Sequence, residues 1–430
     1  MRFSAIALVL CCAGLAAQPA TPRTTSADNV HTIPVTGEGA SYWPRWRGPS
    51  GQGNVEGTGY VDTWSNTENV KWKVAVPGEG HSSPIVWKDH LFLTTSRDGG
   101  ARVSMLAYDR RDGKLLWETQ VPVTSGVEHV YEKNSHASAT ATTDGTHIYA
   151  SFGTHGLAAF DFTGKLVWHR KVGELNNYHG SAGSPVLYKD RLFLYQDHQG
   201  SANLSSFVAA FNIQTGATMW WKDRVEKTGW GTPVVISTGT RDELIVSSQR
   251  RIYSYSPDTG EEYWKVLGNM GEVIPTPVVG HGFVFCSSGR AGPTFAIRPG
   301  GSGDVTATHV AWSTPRGSPF VPSSLIHGDL LYQINDMQSI LTVFHARTGE
   351  LAYQDRLGVA MKEGFSASPV AVGNLIYFTY DDGQTFVVEA RPIFKLRRVN
   401  ELHARVIASP ALVGGTWYWR TDKELLAIGK

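Results

Sequence analysis

One pattern recurs along the chain and limits what it can fold into. Each copy starts with a small residue and Pro, and continues as short β-branched or aromatic runs separated by polar turns, as in "GSPVLYKDRLFLY" and "ASPVAVGNLIYFTY". The copies align on Pro84, Ala139 (in place of Pro), Pro185, Pro233, Pro277, Pro322, Pro369 and Pro410. The spacing ranges from 41 residues (369 to 410) to 55 residues (84 to 139). We infer eight repeats of one structural unit.

The end of each copy carries a second signature, a Gly four residues before an aromatic residue. The pairs are Gly113 and Trp117, Gly164 and Trp168, Gly216 and Trp220, Gly260 and Trp264, and Gly349 and Tyr353. Gly provides the positive φ of a hairpin turn, and we expect the aromatic residue to lie on the strand that follows. The fifth copy keeps Trp312 after a longer turn, and the seventh lacks the Gly and has Phe394 near this position.

Four short strands per period of about 40–50 residues are typical of β-propeller blades. We therefore predict an all-β, eight-bladed propeller of four-stranded antiparallel blades. The last copy has only three strand-like runs before Lys430, whereas "NVKWKV", with Trp72, has no preceding repeat. We expect this N-terminal strand to complete the last blade, because an unpaired edge would expose backbone donors and acceptors.

The N-terminus is typical of an export signal. "MRFSAIALVLCCAGLAAQ" has one Arg, a short apolar run and then small residues. We predict a signal peptide over residues 1–20, a flexible linker over 21–42 and the β-propeller over 43–430. The protein is then periplasmic or secreted. Cys11 and Cys12 leave a lipoprotein as the less favoured alternative, since the residue before the modified Cys is normally small.

Composition excludes several classes of partner. The chain has 39 Lys plus Arg against 38 Asp plus Glu, which argues against nucleic acid as the main partner. No later segment has about 18 uninterrupted apolar residues, so we expect no membrane span. Beyond the signal peptide only Cys286 remains, which excludes an internal disulfide. We expect a monomer.

The repeats resemble a known family. Ala107–Trp117 reads A-x-D-x-x-D-G-x-x-x-W, and Asp161–Trp168 reads D-F-T-G-K-L-V-W. Both are similar to pyrroloquinoline quinone (PQQ) repeats, which build the propellers of quinoprotein alcohol dehydrogenases and of the assembly protein BamB. "WPRWRGPSGQG" and "RPGGSGDVTATHVAW" resemble exported PQQ-like propellers. The resemblance covers residues 43–430 and implies the fold, whereas function depends on the site.

For a quinoprotein, the resemblance implies PQQ in the central funnel, a Trp floor, a calcium ion held by Glu, Asn and Asp, and an Asp base. Methanol-type enzymes add a pair of adjacent half-cystines. After the signal peptide this chain has no adjacent Cys pair, and no carboxylate-rich stretch is typical of a calcium site. We therefore expect no bound cofactor, and keep a quinoprotein with PQQ and calcium, or a metal-dependent oxidoreductase, as the alternative.

Candidate site residues come from the segments that precede the first strand of each blade, because these segments line a propeller's mouth. The candidates are His81, Glu132, Asn134, His136, His179, Trp230, Arg316, Glu363 and Arg405. They could form a pocket for a small polar ligand or peptide, or a hydrogen-bonded structural lining. Convergence of His81, His136 and His179 on a metal is the least favoured alternative. The favoured function is a BamB-like binding or scaffold module that takes a protein, peptide or small polar ligand at its mouth.

Overall fold

Eight four-stranded antiparallel blades form the ring of an eight-bladed β-propeller, as predicted. The computed structural model describes residues 29–123, 126–199, 205–360 and 364–430. The predicted signal peptide and the candidate Glu363 lie outside the described residues. No helix in the described part of the chain is long and apolar enough to cross a bilayer.

Within each blade the strands follow one another outwards from the channel. The strands of blades 1 to 4 are Ile85–Trp87, His90–Arg97, Arg102–Asp109 and Leu115–Gln120; Thr142–Thr143, His147–Ser151, Leu157–Asp161 and Leu166–Arg170; Val186–Tyr188, Arg191–Gln196, Ser206–Asn212 and Thr218–Arg224; and Val234–Ser237, Asp242–Ser247, Arg251–Tyr255 and Glu262–Leu267.

Blades 5 to 7 have the same order, and blade 8 takes its outer strand from the N-terminal part of the chain. Their strands are Val278–Gly280, Phe283–Ser287, Thr294–Ile297 and Val310–Thr314; Leu325–His327, Leu330–Asn335, Ile340–His345 and Leu351–Arg356; Val370–Val372, Leu375–Thr379, Gln384–Glu389 and Leu396–Glu401; and Ala411–Val413, Thr416–Arg420, Glu424–Ile428 and Val70–Ala75.

A few short elements complete the structure. Three two-residue strands add to the edges of blades 4 and 7: His31–Thr32, Asn54–Val55 and Gly303–Asp304. The helical elements are the 3₁₀ turns Gly37–Ser41, Asp98–Gly100 and Gly153–His155 and the α-helical turn Thr306–His309. His31 and Thr32 pair with Ser237 and Ile236, so this part of the predicted linker adds a strand to the propeller.

The aromatic residues of the repeat lie on the outer strands and join neighbouring blades. In five blades the indole ring packs on the turn Gly of the next blade: Trp72 on Gly113, Trp117 on Gly164, Trp168 on Gly216, Trp220 on Gly260 and Trp312 on Gly349. Each of these indole N–H groups also donates to a backbone carbonyl of that next blade at 2.8–3.1 Å. The register with the third strand shifts just before each aromatic residue, and such a bulge re-aims a side chain.

Blades 4 and 7 depart from this arrangement. Trp264 donates instead to buried Glu243, and the long turn of blade 5 reaches back so that Gly303 and Asp304 pair with the outer strand of blade 4. In blade 7 the position of the aromatic residue is taken by Arg398. Phe394, expected near this position, lies in the preceding turn with its ring 5.8 Å from that of Tyr353.

A ring of hydrogen bonds joins all eight blades at the channel. In each blade, the Ser or Thr two residues before the inner strand donates its backbone N–H to the side-chain hydroxyl of the equivalent residue in the next blade, at 2.8–3.3 Å. In chain order these residues, here called the hydroxyl ring, are Ser83, Thr140, Ser184, Thr232, Thr276, Ser323, Ser368 and Ser409. The bond from Ser409 to Ser83 closes the circle.

The hydroxyl ring corrects the alignment of two repeats. In six blades the residue after the ring hydroxyl is the anchoring Pro. In blades 2 and 6 the equivalent positions are Ala141 and Ser324, which follow Thr140 and Ser323. The anchors Ala139 and Pro322 were therefore wrong by two residues, because a nearby Ala and Pro resembled the pattern more closely.

The segment 43–55 crosses the end of the channel opposite to the mouth. Trp43 exchanges backbone hydrogen bonds with Val86 of blade 1, and the carbonyl of Pro44 accepts from Thr143 of blade 2. Farther along, the Gln52 side chain accepts from Val279 of blade 5. We call residues 43–55 the floor segment, since it spans the base of the channel and bonds to blades around the ring.

Candidate functional site

The main cavity is the funnel inside the ring. Its volume is about 660 Å³, and seven of the eight residues of the hydroxyl ring line its wall. Trp46 of the floor segment lines it as well, so the indole forms part of its base. A concave, partly apolar cavity of this size matches the sites at which proteins usually hold small ligands or peptide ends.

The predicted site residues divide into two groups. His81, Asn134, His179 and Trp230 line the funnel. Glu132, His136, Arg316 and Arg405 are not part of its lining, and three of these, Glu132, Arg316 and Arg405, are exposed.

The structure does not bring His81, His136 and His179 together as a metal site. The ring of His136 lies against Gly100, and its Nε2 atom is 2.9 Å from the carbonyl oxygen of Glu128. Among the residues that the structure describes, no group of three His, Cys, Asp or Glu side chains could hold a metal ion. This donor set also does not fit a calcium ion, which takes six to eight oxygen ligands.

One wall of the funnel is aromatic. Tyr131, Tyr178 and Trp230 surround His179, with ring centroids 5.1–5.4 Å from its imidazole. The Trp230 indole N–H donates to the carbonyl of Gly180 at 2.8 Å, which fixes the ring orientation. Burial lowers the pKa of His179, so this wall is uncharged at neutral pH.

The connection from blade 1 to blade 2 contributes to this wall and crosses the mouth. The Asn134 amide donates to the carbonyls of His179 and Ser181, at 2.6 and 3.0 Å, which ties the connection to blade 3. Lys133 extends the other way, and its Nζ atom lies 3.1 Å from Asp381 Oδ2 in blade 7. Blades 8, 1 and 2 lie between blades 7 and 3, so the connection spans part of the mouth.

The wall formed by blades 6 and 7 carries two carboxyl groups. Asp336 accepts from the backbone N–H groups of Phe320 and Val321, at 2.7 and 3.4 Å. Burial raises its pKa to about 6, partly offset by these hydrogen bonds and by Lys133. Burial also raises the pKa of Asp381, which Lys133 partly offsets.

His81 lies near three cationic side chains. Burial lowers the pKa of this imidazole to about 3, and the charges of Arg420, Arg405 and Lys133 lower it further. His81 is therefore neutral at any physiological pH and can only donate or accept a hydrogen bond.

Sequence reasoning missed Lys133, Asp336 and Asp381. Asp336 and Asp381 lie in loops between the second and third strands, whereas the predicted site residues come from the segments before inner strands. Lys133 lies in one of these segments, between the predicted candidates Glu132 and Asn134. The available signal was an Asp directly after the second strand in "LLYQIND" and close after it in "LIYFTYDD".

Comparison with known proteins agrees with the fold. The structure is similar to BamB from Moraxella catarrhalis, with a TM-score of 0.59 and 14% identity over 83% of this chain and 96% of that one. It is also similar to a europium-containing methanol dehydrogenase, with a TM-score of 0.67 and 11% identity over 91% and 98% of the two chains. At these identities the similarity shows the fold alone.

Two curated relatives match parts of the chain. BamB of Moranella endobia (strain PCIT) is 23% identical over 135 residues, which are 31% of this chain and 30% of the relative. The tetrathionate hydrolase of Acidithiobacillus ferrooxidans is 21% identical over 305 residues, which are 67% of this chain and 56% of the relative. The chain thus spans about a third and about half of the lengths of these proteins.

A family model shows to which protein family the chain belongs. The model described as Outer membrane protein assembly factor BamB matches residues 55–266 and 204–332, together more than half of the sequence. This chain belongs to that family of PQQ-repeat β-propellers.

Proposed function

We propose that this protein is an exported binding module that receives a partner polypeptide on its mouth face and in its funnel. The observation that carries the proposal is the distribution of exposed apolar side chains. Seven of them lie in loops on the mouth face: Val123, Val127, Tyr178, Val225, Met270, Met337 and Val359. The other exposed large apolar residues lie on outer strands, apart from Ile393 in a turn. Apolar side chains gathered around a cavity are typical of interaction sites.

The charges at the mouth favour a polar chain with apolar side chains over a highly charged ligand. Lys133 pairs with Asp381, and Arg290 pairs with Glu272. These two pairs compensate four of the charges at the mouth, and the aromatic wall around His179 can pack against apolar groups of a peptide. The family's description as an outer membrane protein assembly factor supports a scaffold that joins other proteins. Export to the periplasm or beyond is part of the proposal, because it rests on the predicted signal peptide.

Site-specific photo-crosslinking tests the proposal. A photoreactive residue replaces Tyr178, Met337 or Val359 at the mouth, and Leu116 or Val167 on outer strands serves as the matched exposed control. In the native host we expect the mouth positions to capture one polypeptide and the outer-strand positions to miss it. Equal capture from both sets, or none from the mouth, would contradict the proposal.

A further inference from the structure

The floor segment beneath the funnel carries two guanidinium groups, on the residues before and after Trp46: Arg45 is part-buried and Arg47 is buried. Arg45 donates to the carbonyls of Ile33 and Pro49, at 2.9 and 2.7 Å. Arg47 is 1% exposed and donates through Nη2 to the carbonyl of Ser324 at 2.9 Å. Its Nε and Nη1 atoms have no partner within the described residues. The guanidinium carbon of Arg47 lies 5.8 Å from the centroid of the Trp46 ring.

No described carboxylate forms an ion pair with either arginine, in contrast to the paired charges at the mouth. Burial alone lowers the pKa of Arg47 to about 9 and that of Arg45 to about 10, and no acid offsets this effect. An unpaired buried cation is expensive unless a counter-charge is supplied. The base of the funnel is thus a region of uncompensated positive charge. His81, on the funnel wall, is likewise surrounded by cations.

The hydroxyl ring supplies donors above this base. Each ring oxygen accepts one backbone N–H, and within the described part of the chain none of the eight hydroxyls has an acceptor for its own proton. A Ser or Thr hydroxyl carries one donor besides its acceptor sites. Seven of these groups line the cavity, and Thr232 and Thr276 also line the small cavity next to Trp46 and Arg45.

From these observations we infer that the base of the funnel is a subsite for an oxyanion: the carboxylate, sulfate or phosphate group of a ligand that enters through the mouth. The ring hydroxyls donate hydrogen bonds to the anion, and the field of Arg45 and Arg47 from below stabilises its charge. The inference rests on the proposed function to the extent that both use the funnel as a binding site. It adds a chemical class of ligand that the apolar mouth does not indicate.

Crystals soaked in sodium selenate give the first test, because selenium locates a sulfate-like anion by its anomalous scattering. We expect a peak inside the funnel between the hydroxyl ring and Trp46. Absence of a peak at this position, or peaks only on the outer surface, overturns the inference.

Thermal unfolding with sulfate, phosphate or acetate, each compared with chloride at equal ionic strength, gives the second test. An anion that binds the folded state raises the unfolding temperature as its concentration rises. Sulfate and phosphate stabilise proteins without a site at high concentration, so we expect at least one oxyanion to exceed chloride already at low concentration. The order of acetate against sulfate and phosphate in that range tells a carboxylate from a tetrahedral ligand. Equal effects of all four anions overturn the inference.

Variants connect the effect to the residues. Arg47→Met should weaken oxyanion binding about ten-fold or more, as expected for loss of a charged partner. Arg170→Met removes an exposed cation on the outer strand of blade 2 and should leave binding unchanged. If Arg47→Met does not fold, Thr276→Val, which removes one ring hydroxyl, replaces it with the same expected direction. If the variant that folds, Arg47→Met or Thr276→Val, binds the oxyanion as tightly as the wild type, the assignment is wrong. Because partner capture is measured separately, either proposal can fail without the other.

Discussion

The indole ring of Trp72, on the outer strand of blade 8, lies over Gly113 in the turn of blade 1, and a Cβ atom on Gly113 would come within 2.6 Å of its Cε3 atom. Trp72 belongs to the strand Val70–Ala75, which pairs with Glu424–Ile428, so this contact connects the last blade to the first. Its Nε1 atom also donates to the carbonyl of Arg110 at 3.1 Å. Trp72 therefore makes the same contact across the chain ends that four other tryptophans make between consecutive blades.

Gly113→Ala tests how much this contact contributes. Gly373→Ala is the control, because Gly373 also has positive φ but has nothing within 4 Å of an added Cβ. The backbone strain of Ala at positive φ costs about 1–2 kcal/mol at either site. Overpacking against the Trp72 ring should cost about 1–3 kcal/mol more at Gly113. Urea unfolding measures the difference, and equal losses in the two variants would show that the ring moves away freely.

Removal of residues 66–78 tests the role of the N-terminal strand. Without Val70–Ala75, the strand Glu424–Ile428 becomes an exposed edge that can pair with other chains. We expect aggregation and loss of cooperative unfolding, measured by light scattering and calorimetry. Removal of residues 1–28 shortens the same end and serves as the control. A chain lacking 66–78 that melts like the full-length protein would contradict the closing role of this strand.

Glu128 predicts a pH-dependent stability. This residue is 8% exposed, its Oε1 atom accepts from the Ser181 hydroxyl at 2.8 Å, and its Oε2 atom lacks a described partner. Burial raises its pKa from 4.5 to about 7, so the folded state favours the protonated acid. The unfolding free energy should therefore fall as pH rises from about 4.5 to about 7, by up to about 3 kcal/mol.

Glu128→Gln should remove this dependence, because the amide stays neutral and keeps an oxygen for Ser181. We expect the variant to be more stable than the wild type at pH 8, by about 2 kcal/mol, and not at pH 4.5. Glu132→Gln, at an exposed position of the same connection, is the matched control and should not change the profile. Denaturant midpoints of the wild type and both variants, measured at pH 4.5 and pH 8, give these differences in stability. A pH profile of Glu128→Gln parallel to that of the wild type would show that another group is responsible.

The funnel is expected not to act as a quinoprotein site. Among the described residues no three Asp, Glu, His or Cys side chains lie together as metal ligands, and calcium is the ion that polarises PQQ in a quinoprotein. Incubation with PQQ and calcium should give neither a stoichiometric absorbance change nor dye-linked alcohol oxidation. A methanol-type quinoprotein reconstituted in parallel is the positive control. Turnover with bound PQQ would reverse this expectation.

The fold could be predicted from the sequence because its signals are local. A Gly four residues before an aromatic residue requires only a turn and one strand, and Trp117, Trp168, Trp220 and Trp264 lie on the predicted strands. Arg398, which takes the place of the aromatic residue in blade 7, could not be predicted in this way. The next blade, blade 8, has no turn between its third and fourth strands on which an aromatic ring could pack, because these strands come from opposite ends of the chain. Instead, Trp64 of the N-terminal segment packs between Tyr377 and Trp417, with ring centroids 5.9 and 5.1 Å away.

The site was less predictable, because it depends on contacts between distant parts of the chain. His81 and His179 lie in the funnel because the backbone enters the inner strands there, whereas the side chain of His136, in an equivalent segment, lies against Gly100. Segment position does not determine side-chain direction when the connections differ in length. The role of the floor segment was also invisible in the sequence, since "WPRWRGPSGQG" has no strand periodicity and its bonds go to residues as distant as Ser324.

The hydroxyl ring has a topological consequence. Eight equivalent bonds arranged in a circle have no first or last member, and the bond from Ser409 to Ser83 differs from the others only in joining residues that are 326 positions apart. The hydrogen bonds around the channel therefore do not depend on which two blades the chain termini lie between. A circular permutant, with the present ends linked and new ends opened in another blade's turn, would preserve every member of the circle.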